Sequence, residues 1–332
     1  MKDENWVEDE QRCLPDLTVI VPVWNRIDII GKCLDALEKQ ETKTAIFETV
    51  VIDDGSDDGT REFLDGYIQS RTRNLQVIRH LKHTNANVAR NAGLKNSRAR
   101  LVLFLDADVV LKPYVIETHV GYHRRYPDNN VVILGNIKFP DECPLTVLDE
   151  FGNAAISWRN LKPHSELPWW NFFTTHISAK KNYLLSAGGF DERLERYQDI
   201  ELGRRLMPMG LKIIYADEAV GFHYHRRTPK EVALTAKAYG IALTQQYNSG
   251  DPAWRDYLSY HGGFEKGWKT STKRAIGTLL SNRVMFPATL WAANALTDRF
   301  PGISVLLCRA LRYHSLHTAF RPDLKRSERD ER

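Results

Sequence analysis

The chain is short of cysteine, has no long apolar run and carries little excess charge. Its four cysteines, Cys13, Cys33, Cys143 and Cys308, are scattered without metal-ligand spacing, a usage that suits reduced thiols in a cytoplasm. No apolar run reaches the roughly 18 residues of a membrane span. The longest, "VMFPATLWAANAL" and "ISVLLCRAL", are too short and are broken by Pro287, Arg299 and Arg309. The acidic start "MKDENWVEDEQRCLPD" lacks the apolar core of a secretory signal, so the expected location is cytoplasmic. A net charge of only +4 gives no compositional argument for nucleic acid as the main partner. Internal repeats and low-complexity segments are missing too.

What is present is a chain of 332 residues, enough for one large α/β domain and an accessory segment. The first half alternates apolar strand-like blocks with helical ones. "LTVIVPV", "FETVVI", "LQVIRH" and "RLVLFL" read as strands. "IDIIGKCLDALEKQ", "TREFLDGYIQS" and "NVARNAGLKNS" read as helices between them. Near-continuous apolar strands alternating with helices imply a mostly parallel sheet covered on both faces. Further on come a helix in "KPYVIETHVGYHRRY", a strand in "NVVILGNIKF" and a less regular, aromatic-rich stretch over 145–190. "DIELGRRLMPMG" then reads as a helix ended by Gly210, with "LKIIYAD" and "AVGFHYH" as two extended runs. From Pro229 the pattern is helical only, which sets a boundary at residue 228. The expected layout is a domain over 1–228, with halves of about 17–110 and 111–228, and a helical extension over 229–332.

In such sheets ligands gather at the carboxyl ends of the strands. Asn25 and Arg26 follow the first strand there, and Asp53, Asp54 and Ser56 the second. His83, Asn85 and Asn87 follow the third, and Asp106 and Asp108 the fourth. The pair in "LVLFLDADVV" is the most pointed. An ionised carboxylate at a buried strand end is costly unless something pairs with it. Two Asp one residue apart suit a hard divalent cation carrying a nucleotide diphosphate, and equally suit turn chemistry. His223 and His225 in "GFHYH" face one side if that run is extended, and could join a metal or pack in the core. Arg90 is placed to meet a phosphate or an ordinary acidic partner. Asp199 and Glu201 open a helix, as capping acids or as a base for an acceptor hydroxyl.

Together these segments resemble the family-2 glycosyltransferases of GT-A fold. The resemblance runs from about Leu17 to Arg227, through "VIVPVWNR", "VVIDDGSDDGT", "NVARNAGLKNSRARLVLFLDADVVLKP", "SAGGFDERLERYQDIELGRRL" and "AVGFHYH". It implies an inverting enzyme that moves a sugar from a UDP-sugar to an acceptor hydroxyl on a glycan, a lipid-linked carrier or a peptide. Asp54 matches the uracil-binding Asp, with Pro22 and Trp24 lining the base pocket and Asn25 beside them. Arg90 matches a residue near the phosphates. Asp106 and Asp108 match the DxD pair for ribose and metal, with His223 as the further ligand of Mn²⁺ or Mg²⁺. Asp199 matches the catalytic base. Two departures stand out. Gln198 replaces the usual Glu beside the base, and His176 replaces a common Asn, with an expected effect on donor-sugar choice.

The same residues are open to two other readings. A sugar nucleotidyltransferase needs a Gly-rich, Arg-containing loop after the first strand, where this chain has "PVWNRID". A non-catalytic sugar-nucleotide binding or scaffold protein would tolerate loss of Asp199, which this chain keeps. For the C-terminal helices, with Arg283, Arg299, Arg309 and Arg312, the readings are a layer packed on the catalytic domain, a homodimer surface, or a peripheral contact with the inner face of the membrane.

Overall fold

The computed structural model describes residues 14–70, 74–142, 158, 160–225, 228–260, 285–296 and 299–319. Cys13, Cys143, Arg227, Arg283, the side chain of Arg309 and the charged C-terminal stretch lie outside the described residues. Contacts within the chain divide it into two units. Residues 1–140, 157–192 and 198–224 form one, and 141–156, 193–197 and 225–332 form the other.

The first unit is built on a sheet of nine strands among the described residues, in the order β3-β2-β1-β4-β8-β6-β9-β5, with the two-residue β7 (Glu166–Leu167) paired to β9. The strands β1 (Leu17–Val23), β2 (Phe47–Asp53), β3 (Leu75–Arg79) and β4 (Leu101–Leu105) run parallel. β2 is buried at every position, its polar Glu48 included, whose carboxylate is met by the Thr18 hydroxyl and Arg98. The helices α1 (Ile30–Glu38), α2 (Thr60–Gln69) and α3 (Ala86–Asn96) follow the first three strands. Asn85 caps α3 by accepting from the N–H groups of Asn87 and Val88 at 2.9 and 3.1 Å. Gly93 lets α3 lie close on β1: a Cβ there would fall 2.3 Å from the Ile20 side chain. Gly93 thus serves the packing of α3 on the sheet.

Beyond β4 the sheet changes direction. β8 (His176–Lys180) sits between β4 and β6 (Val131–Lys138), antiparallel to both. The strands beyond it resume the parallel direction, since β6 pairs parallel with β9 (Lys212–His223), so β8 is an antiparallel insertion in a mostly parallel sheet. β9 is one strand where the sequence reads as two. A register shift against β6 between Gly135 and Asn136 lets it bend without breaking. β9 pairs antiparallel with β5 (Val109–Leu111), which sets Val109 opposite His223. The strand stops there, so the alternation that would align His225 with His223 is not continued. The helix α4 (Val115–Arg125) lies between β5 and β6 in sequence, and α5 (Lys181–Ser186) follows β8. α6 (Gln198–Leu206) runs into a 3₁₀ turn at Met207–Met209, and Gly210 ends it with φ 80°.

The second unit holds the helices α7 (Pro229–Asn248), α8 (Pro252–Tyr260), α9 (Met285–Ala295) and α10 (Pro301–Ala319). Thr228 and Glu231 form a reciprocal capping box at the start of α7. The Tyr197 ring stacks edge-on against Tyr239, Trp254 and Tyr257, with centroids 4.9 to 6.2 Å away. Among the described residues, no helix is long and apolar enough to cross a membrane.

Candidate active site

Parallel register brings the ends of β1 and β2 level, with Val23 opposite Asp53. Trp24 and Asp54 therefore leave the sheet side by side. Asn25 takes φ 51°, a left-handed conformation that asparagine tolerates. Asp57 engages both ends of its amide, at 2.8 and 2.9 Å. Asn25 is thus a clamp between the loops after β1 and β2. Arg26 and Ile27 extend that clamp, donating their N–H groups to Thr60 and Asp58.

Asp54 is only 3% exposed, and its carboxylate is surrounded by donors. His80 Nδ1 lies 2.6 Å away and His83 Nδ1 2.9 Å, while Thr84 gives its N–H at 3.0 Å and its hydroxyl at 2.6 Å. Trp24 lies stacked on His83, with ring centroids 3.8 Å apart and planes 17° from parallel. Pro22 pairs with Ile52 one step inside β1. His80 and Thr84 are missing from the sequence reading of the site. Their only local signal is position, just past the end of β3.

The two carboxylates after β4 part company. Asp106 accepts a hydrogen bond from the Arg90 guanidinium at 3.2 Å. Asp108, close to fully buried, faces His223: its Oδ1 lies 3.2 Å from Nε2, and Arg26 Nε stands 3.7 Å from the other oxygen. The β5–β9 pairing makes this contact. A carboxylate and an imidazole side by side are a donor set that fits Mn²⁺ or Mg²⁺ with phosphate oxygens completing the shell. The buried Cys33 thiol registers the charge there. Burial first, then Asp108 and Asp106, push its pKa upward.

Arg90 links this end to Asp199. It is 7% exposed, its Nε has no hydrogen-bond partner among the described residues, and its charge faces Phe190 at 5.8 Å as well as Asp106. Asp199 stands in the first turn of α6. Burial raises its pKa above the ordinary aspartate value. The Arg90 charge and N–H donors from Ile200 and Thr174 oppose the rise, and the Asp106 charge adds to it. The like-charge neighbour that Gln198 cannot be is therefore supplied by Asp106. Asparagines of the α3 segment hold the chain that leads towards α6. Asn85, Asn87 and Asn91 donate to the carbonyls of Glu192, Asp191 and Phe190 at 2.7 to 2.9 Å.

His176, the first residue of β8, is fully buried, with Nε2 3.0 Å from Nε2 of His119 on α4.

The sequence matches glycosyl transferase family 2 over residues 18–188, more than half of the chain. The chain belongs to this family. Among relatives, this family-2 chain is 29% identical to validoxylamine A glucosyltransferase of Streptomyces hygroscopicus subsp. jinggangensis over 245 residues, covering 65% of this chain and 57% of that protein. It is 25% identical to glycosyltransferase AglE of Haloferax volcanii over 244 residues, covering 71% and 72%. The chain thus spans little more than half the length of the first of these relatives. Among solved structures, it resembles the mannosyltransferase PcManGT of Pyrobaculum calidifontis in complex with GDP-Man and Mn²⁺. The TM-score is 0.61 at 18% identity, over 92% of this chain and 87% of that one. S. aureus TarS 1-349 in complex with UDP-GlcNAc gives 0.53 at 16% identity, over 90% of each chain. At such identities the likeness speaks for the fold alone, and that fold is GT-A.

Proposed function

We propose that this family-2 chain is an inverting glycosyltransferase that moves a hexose or N-acetylhexosamine from a UDP-sugar to an acceptor hydroxyl. The observation that carries the reading is the convergence at one strand end. Asp108 faces His223 there, and Arg90 connects Asp106 to the raised carboxyl of Asp199. Asp54 and Trp24 supply a hydrogen-bond acceptor and a flat face for a base. Asp106 serves the ribose, and Arg90 the diphosphate. Asp108 and His223 would hold the divalent cation, Mn²⁺ or Mg²⁺, which neutralises charge on the leaving diphosphate. The acceptor oxygen attacks the anomeric carbon as its bond to the UDP oxygen breaks. The hydroxyl proton passes to Asp199, and one displacement inverts the centre. The burial that raises the Asp199 pKa also makes it a stronger base than a solvated aspartate.

Replacing Asp108 by Ala should abolish Mn²⁺-dependent UDP binding in calorimetry while leaving the chain folded. Unchanged affinity would remove the metal assignment. Donor hydrolysis over a panel of sugar nucleotides separates an enzyme from a binding or scaffold protein, which would show none.

We further propose a peripheral membrane contact for the C-terminal helices. Its support is the exposure of Trp291, Phe300, Ile303 and Leu306, with Arg299 next to Phe300. Co-migration with anionic vesicles in flotation is the expected result. A dimer in solution with no co-migration would assign that face to a second copy.

A further inference from the structure

The proposed base site is already filled by the protein. The Asp54 carboxylate has about four acceptor positions; His80 and the N–H and hydroxyl of Thr84 hydrogen-bond to three of them, and His83 Nδ1 stands in ion-pair contact 2.9 Å from Oδ2. The Trp24 face beside it is covered by His83, stacked at 3.8 Å. A uracil would need that same flat surface and one of those same acceptor positions for its ring N–H. His83 occupies both places at once, with its ring on the indole and Nδ1 2.9 Å from the carboxylate.

We infer that His83 is a stand-in for the nucleobase, and that donor binding requires its side chain to leave. The inference rests on the proposed reading of Asp54 and Trp24 as the base site. Exposure says which partner yields. The His83 side chain is 42% exposed and His80 only 18%, while Thr84 is anchored through its own backbone N–H. The backbone at His83 is pinned. Gly55, with φ 77°, presses so close that a Cβ there would fall 2.4 Å from the Lys82 carbonyl carbon and 2.5 Å from the His83 nitrogen. The movement is therefore a rotation of the imidazole about its side-chain bonds, with the loop left in place. While it is closed, His83 keeps the indole face and the buried carboxylate satisfied. Ligands that cannot replace both contacts are selected against, so His83 is a specificity-determining residue for the base.

The test compares UDP with inorganic pyrophosphate, each titrated with Mn²⁺ into the parent chain, His83→Ala and His83→Asn. Both replacements are too short to cover Trp24. Removing the competitor should tighten UDP binding about tenfold, the scale set by one aromatic contact. Pyrophosphate, which has no base, should bind all three proteins alike. Asn is the second variant in case Ala lowers the melting temperature. Weaker UDP binding by the variants would make His83 a wall of the pocket, and unchanged binding would put it out of the way; either result overturns the inference. A parent chain that binds pyrophosphate but gains nothing from uridine would overturn the base-site reading, and the inference with it. That failure shows in the parent alone, so the two are distinguishable.

Discussion

Asp199 is where the site most clearly works against stability. Its carboxyl has a raised pKa in the folded chain, with burial as the first cause. A folded pKa above the unfolded value contributes stability only at low pH, and that contribution is lost as pH rises through the folded pKa. At neutral pH the ionised group therefore opposes folding. Asp199→Asn should keep UDP affinity, hold or raise the melting temperature, and lose turnover by about 10²–10⁴-fold. A first-turn acid that served only its helix would give the reverse, a small stability loss with normal turnover. In the parent, turnover should fall as pH drops through a value above that of a solvated aspartate. A pH–rate profile checks this limb. If Asp199→Asn transfers sugar near the parent rate, Glu201 becomes the next candidate, although Arg205 already holds its carboxylate at 2.7 Å.

Among the elements, α4 and β8 share a buried polar layer with its own pH signature. His119 Nδ1 and His123 Nε2 both reach the Ser178 hydroxyl, at 2.8 and 2.9 Å, and His119 bonds His176. Burial lowers all three histidine pKa values, to about 3 for His123 and about 4 for His176, with His119 also well below 6.5. Neighbouring charge adds to this, from Lys180 at His123 and from the other histidines at His119. Depressed values mean that stability is complete above pH 6.5 and is lost as pH falls towards 4 and 3. Each proton taken up only by the unfolded chain steepens that loss by about 1.4 kcal/mol per pH unit. His119→Gln removes one such proton while keeping hydrogen-bonding capacity. Urea midpoints between pH 6.5 and 4.5 should fall less steeply in this variant than in the parent. An identical slope would mean that the layer does not titrate on unfolding. The sequence offers His176 as a departure from the family pattern. Only the placement of α4 over β8 turns that residue into a core group.

At the level of the whole molecule, the contacts divide the chain into two units, the proposed nucleotide site lies in one of them, and unfolding in two parts is the expected outcome. UDP with Mn²⁺ at about 100 times its Kd should stabilise the sheet unit by about 2.7 kcal/mol. Calorimetric melting should therefore show the transition of that unit moving up, and a chelator should reverse the shift. A shift in neither transition would count against donor binding by the parent chain. The unit boundaries were only partly readable. Residues 193–197 lie between segments of the sheet unit in sequence, yet they belong with the helices through the Tyr197 ring cluster. Nothing in "RLERY" announces that membership, because it depends on aromatic partners more than forty residues away.

Local chemistry is what the amino-acid order carried without help. Strand periodicity, the helix end at Gly210, the Asp106–Asp108 pair at a strand end and the family itself all follow from short stretches whose spacing alone has meaning. Pairings between distant segments belong to the tertiary structure. β8 inserts antiparallel between β4 and β6, and β9 runs as one strand to meet β5. That last pairing sets His223 against Asp108, and the loop after β3 closes His80, His83 and Thr84 around Asp54. The physical reason is the same in each case. A buried carboxylate needs partners, and chain order says that the need exists, while only the packed sheet decides which residues meet it.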